Sequence, residues 1–87
     1  MQNLEALKIQ LHKAPIAQIA DIIRKDWTKI SPYAAPYLRA MFHLSSDTDN
    51  YYADGAQSIC LYFLSNAQGW RGEVAKAVKA ELKRRFA

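Results

Sequence analysis

A chain of 87 residues with a single cysteine holds one domain and leaves no room for a second, for a disulfide framework or for a thiolate zinc site within the chain. Apolar residues make up 51% of it, enough for one small core and no more. The formal charge of +4 is unevenly spread, with +3 in residues 1–44, −3 in residues 45–69 through Asp47, Asp49 and Asp54, and +4 in residues 70–87, an asymmetry that hints at an acidic partner.

The chain opens on "MQNLEALKIQLHK", where Glu5, Lys8 and Gln10 break up the leucines. This is neither a secretory apolar segment nor the ~18 apolar residues of a membrane helix. A cytoplasmic protein with no membrane partner is the expectation. Leu4, Leu7 and Leu11 form one stripe of a first helix over 3–12, with Asn3 as N-cap. Ala14 and Pro15 end it, and Pro15 suits the first position of the next helix. There Ile16, Ile19, Ala20, Ile23 and Trp27 keep helical spacing while Gln18, Asp21, Arg24 and Lys25 turn outward.

"TKISPYAAPYLRAMFHL" predicts an irregular connection and then a short helix over 36–44, because Pro36 disfavours any earlier start. Tyr37, Met41 and Leu44 are its expected inward residues. "SSDTDN" reads as a loop. Asp54, with Gln57 three residues on, has the spacing of a capping box at the start of a fourth helix. "ICLYFL" alone also suits a buried strand, but Ala56, Ile59, Cys60, Phe63, Leu64 and Ala67 continue one helical stripe and no second strand-like run exists to pair with it. A helix over 55–67 is therefore expected at the centre, ended by Gly69 in the left-handed conformation. The last helix, 71–85, turns Val74, Val78 and Leu82 inward and gathers Lys76, Lys79 and Lys83 on another face beside Arg84, with Glu81 and Arg85 as an i, i+4 pair. The fold class is all-α, a compact bundle of four or five helices.

Chemistry is sparse. His12 and His43 are separated by two predicted helices, and Cys60 lies in an apolar run that favours an inert buried thiol over a nucleophile. Asp47 and Asp49 have the spacing of the first two ligands of a calcium loop, but Tyr51, Tyr52 and Ser58 stand at the fifth, sixth and twelfth positions, where a ligand, the turn glycine and the final glutamate belong. No metal, no cofactor and no catalysis is expected. The hinge "NAQGWRGE" reads as a corner between two antiparallel helices with Trp70 covering it and Arg71 reaching back to carbonyls of the preceding helix or to Asp54 or Asp26. Its alternative is a protruding anchor pair, Trp70 and Arg71. Tyr33, Tyr37, Tyr51 and Tyr52 gather around the middle connection, as a core margin or a recognition surface.

"DW" at Asp26, "PYLRAM" at Pro36 and the long block "YYADGAQSICLYFLSNAQGWRGEVAKAVKAELKRR" from Tyr51 together resemble a group of short proteins encoded by bacteriophages and prophages, over about two thirds of the chain. "YFLSNA" and "WRGEVAK" are the most specific parts. The resemblance implies a phage gene product acting in a bacterial host and carries over no functional residue. The expected function is a non-catalytic protein that occupies a surface of a host macromolecule, a protein first and a nucleic acid as the alternative. Trp70, Arg71, Lys76, Lys79, Lys83 and Arg84 are the candidate contacts, with Asp47 and Asp49 supplying opposite charge.

Overall fold

The computed structural model describes residues 4–51 and 54–87. The expected cap Asn3 and the ring of Tyr52 lie outside them. Helix α1 (Leu4–Lys13) buries Leu7 and Leu11. Pro15 fixes an extended cap, φ −65° and ψ 157°, so it precedes helix α2 (Ile16–Asp26) and does not occupy its first turn. The stripe of α2 is as its spacing predicts, with Ile16, Ile19, Ala20 and Ile23 buried and Trp27 following at the C-cap. Helix α3 (Ala35–Met41) takes Pro36 into its first turn and ends earlier than 44. Met41 and Leu44 are fully buried, whereas Tyr37 is half-buried and Leu38 fills the place beside it.

Two-residue strands β1 (Asn50–Tyr51) and β2 (Asp54–Gly55) pair antiparallel, Asn50 opposite Gly55 and Tyr51 opposite Asp54. The sequence gives no sign of this clip, since two residues a side are too few for a pattern. It removes Asp54 from the expected capping box. Gly55 holds the cap of helix α4 (Ala56–Ser65) with no side-chain cap bond. Gln57 instead donates through Nε2 to the Phe86 carbonyl at 3.0 Å.

α4 buries Ala56, Ile59, Cys60 and Phe63, while Tyr62 turns out to solvent. It ends before Gly69, because Asn66 Nδ2 donates to the Tyr62 carbonyl at 2.9 Å, Ser65 Oγ to that of Leu61, and Gln68 Nε2 to that of Ser65. Polar side chains close the helix, so no left-handed glycine is needed. The left-handed residue among those described is Gly72, φ 113°, at the N-cap of helix α5 (Glu73–Phe86).

α5 buries Ala75, Ala77, Val78, Glu81, Leu82 and Phe86 and packs against α1, α2 and α4, so it shares the central position with α4. Each fully buried large apolar side chain, Phe63 or Leu82 for example, contributes about 1.5–3 kcal/mol relative to exposure. One cluster of buried apolar residues runs through all five helices. The radius of gyration, 11.9 Å, matches the ~12 Å expected of a single compact body of this length.

Candidate functional site

Side chains of α5 make two polar junctions with distant parts of the chain. The first is the α4–α5 corner. Trp70 is 2% exposed, stacks on Trp27 with centroids 5.8 Å apart and planes 9° apart, and meets Phe63 edge-on. Its indole N–H donates to Asp26 Oδ2 at 2.8 Å, so the buried ring has its one polar atom satisfied. The "DW" and "W" segments, 44 residues apart in sequence, thus meet in one contact. Trp70 belongs to the core and does not stand out as an anchor.

Arg71 does not reach back to α4. That work falls to Lys79, whose Nζ donates to the carbonyls of Ala67 at 2.7 Å and Trp70 at 2.6 Å and lies 5.9 Å from the Trp70 ring centroid. Lys79 is therefore a structural cation and not part of a solvated face. Burial holds its ammonium below the usual lysine range, and the nearby charges of Lys83 and Arg71 push in the same direction. Lys83 follows Lys79 one turn along α5. Arg71, Lys76 and Lys79 also line an open depression of about 330 Å³ at the corner, with Glu73 on its rim.

The second junction lies at the end of α1. Arg85, its side chain 6% exposed, donates through Nε to Glu81 Oε2 at 2.6 Å, through Nη1 to Asp47 Oδ1 at 3.0 Å, and through Nη2 to the carbonyls of Leu11 at 2.7 Å and Ala14 at 2.8 Å, with His12 O at 3.4 Å. One guanidinium so closes the C-terminus of α1, where orphan carbonyls and the helix dipole favour a cation. Arg84 Nη2 also binds Glu81 at 2.6 Å. Burial works to raise the Glu81 carboxyl, but hydrogen bonds from Arg84 and Arg85 outweigh it and hold the group below the usual glutamate range.

The acidic loop is organised rather than loosely solvated. Asp49 accepts from Ser45 N, Asn50 N and Ser45 Oγ, and these bonds lower its pKa. Asp47 pairs with Arg85, so the loop and the last helix, expected to present opposite charges to a partner, neutralise each other in part. Cys60 is fully buried, and burial first, with Asp47 adding to it, pushes its thiol up to about 12, which makes it inert. His43 stacks on Tyr51 at 5.1 Å.

Of the candidate contacts, Arg71, Lys76 and Lys83 are exposed and free of side-chain hydrogen bonds and ion pairs among the described residues; Arg71 and Lys76 line the corner depression, and Lys83 lies farther along α5. Trp70, Lys79, Arg84, Asp47 and Asp49 are engaged inside the molecule. Arg85 and Asp26, which organise the two junctions, do not stand out as sites in the sequence. The i, i+4 spacing to Glu81 signals one of Arg85's bonds, and nothing local signals the carbonyls more than 70 residues away. Among the described residues no group of three or more histidine, cysteine or carboxylate side chains could hold a metal ion, and no helix is long and apolar enough to cross a membrane. No family model, curated protein or solved structure matches the chain, so the phage resemblance gains no support from them.

Proposed function

We propose that the chain is a non-catalytic binding protein that docks on an acidic surface of another protein through the α4–α5 corner, with Arg71, Lys76 and Lys83 as its contacts. One observation carries this reading: among the described residues these are the basic side chains near the corner that no side-chain bond engages, with Arg71 and Lys76 lining the depression and Lys83 one helical turn beyond Lys79 on α5. Rigid neighbours hold them in place, since Lys79 pins the corner to its own carbonyls. Rim cations of this kind set association rate and orientation more than they set total affinity. On the resemblance to phage-encoded proteins, the partner is a bacterial host protein, such as a defence or nucleic-acid-processing enzyme, and binding blocks it.

A nucleic acid is the weaker reading because the stripe is thinner than the sequence implies. With Lys79, Arg84 and Arg85 engaged internally, three free cations would give a salt dependence of only about three log units per log unit of salt. The test is a pull-down from bacterial lysate before and after nuclease digestion, run beside a chain carrying Arg71→Glu, Lys76→Glu and Lys83→Glu with an unchanged circular dichroism spectrum. A protein partner that survives digestion and is lost with the charge reversal is the expected result. Loss of every partner on digestion would transfer the corner to nucleic acid, and turnover of a substrate by the isolated chain would overturn the non-catalytic reading.

A further inference from the structure

A cleft of about 340 Å³ opens where the α1–α2 turn faces the 45–49 loop and the end of α5. His12, Lys13, Arg84 and Arg85 line it together with the hydroxyl residues Ser45 and Ser46, and the one carboxylate in its wall is Asp47. Glu81, behind the wall, already pairs with Arg84 and Arg85, so Lys13 and the Nη1 edge of Arg85 are the positive charge left to the cleft, against Asp47. We infer that this cleft is a preformed binding site for a carboxylate of an acidic peptide, and that Asp47 is its resident intrachain ligand.

The case rests on which bonds each side needs. Arg85 is held from the protein interior by Glu81 and by the carbonyls of Leu11 and Ala14, and those contacts use Nε and Nη2. Nη1 faces the loop and binds Asp47 alone among the described residues. Releasing Asp47 therefore leaves the guanidinium anchored, with both Nη1 protons available to an incoming oxygen. The loop does not depend on the contact either. Asp49 closes it through Ser45 and Asn50, and the Ala56 amide donates to the Asp49 carbonyl at 2.9 Å, which ties it to the start of α4. Among the described residues, the Asp47–Arg85 bond is the one side-chain hydrogen bond between the 45–49 loop and the α1–α5 junction. Asp47 is 48% exposed, so an external carboxylate can compete for its place. The chemistry of the ligand follows from the occupant, since a site that accepts an aspartate side chain accepts another carboxylate. The cleft lies at the end of α1, on residues other than those of the α4–α5 corner, and needs none of the corner residues.

The experiment titrates an acetylated, amidated tetraglutamate peptide into isotope-labelled full-length chain at low salt, following the Arg85 Nε–H signal and the amides of Ser45, Ser46 and residue 47. Asp47→Asn removes the competitor and its charge, and peptide affinity at these signals is expected to rise at least about fivefold over the unaltered chain. Asp47→Ala gives the same result, and adding Lys13→Glu cancels the gain. The enhancement persists in a chain that also carries the three corner reversals, which keeps failure of the corner apart from failure of the cleft. Equal affinity with and without Asp47, perturbations confined to residues 70–83, or loss of the slowly exchanging Arg85 Nε–H signal on Asp47→Asn before any peptide is added would each overturn the inference.

Discussion

At the end of α1 the closing cation is Arg85, and at the end of α4 it is Lys79. Both come from α5, six residues apart, and each bonds a carbonyl that also accepts a backbone N–H, Leu11 or Ala67, together with one for which no backbone donor is present among the described residues, Ala14 or Trp70. Arg85 serves three carbonyls and two carboxylates at once, because a guanidinium carries five donors in a fixed fork. Lys79 serves two carbonyls from one point and has no carboxylate at hand in its hydrogen bonds. A cluster of basic residues on one helix is here largely architecture, with Lys79, Arg84 and Arg85 all bonded within the molecule. The two ends are therefore expected to differ in how much of the fold they hold.

The largest effect is expected at Arg85. Arg85→Met leaves carbonyls of the α1 end unbonded and strips the buried Glu81 of one of its two arginines, for a loss of about 3–5 kcal/mol by urea unfolding. That is a large share of the ~5–15 kcal/mol of a typical small domain. Arg85→Lys should recover less than half, since one ammonium cannot reach both carboxylates and carbonyls. Full recovery by lysine would break the distinction between the two ends.

Lys79→Met should cost less, about 2 kcal/mol in the same assay, because two carbonyls lose a charged donor while no buried carboxylate loses its partner. Trp70 fluorescence should change alongside, as the ammonium sits near its ring. A loss equal to that of Arg85→Met would show that the carboxylates add nothing to the α1 end.

The smallest effect sharpens the corner itself. Gly72→Ala should cost about 1 kcal/mol, purely from the backbone, since φ is 113° and a methyl group there meets no atom within 4 Å. Gly69→Ala, with equally open space and no positive φ, should stay within about 0.5 kcal/mol. Equal costs in thermal unfolding would remove the strained entry to α5 as a feature of the corner.

The helices themselves were legible in the sequence wherever apolar spacing runs for two turns or more. The predicted stripes of α1, α2, α4 and α5 are buried except at Leu4, Leu64 and Val74, which are only partly buried, and α5 adds Ala75, Ala77, Glu81 and Phe86 to its inner face. Cys60 is buried, as its apolar run implies. The helix ends were less legible. Asp54 and Gly69 had the right residue types for a cap and a left-handed stop, yet a hairpin clip took the first and polar side chains of Ser65, Asn66 and Gln68 replaced the second. Local competition among side chains decides such ends, and several candidates of equal propensity stand within a few residues.

The candidate site divides along the same line. The order of residues by itself determined that the C-terminal helix is basic. Tertiary structure alone decided which cations are free. Lys79 and Lys83 are the same residue on one helix, but only Lys79 lies over the corner carbonyls. Arg84 and Arg85 are neighbours, but only Arg85 points at the end of α1. Charge is a property of a residue type and is written in the chain. Its partner is a property of position, fixed when distant segments pack and bring their unsatisfied carbonyls and carboxylates within a hydrogen bond of it.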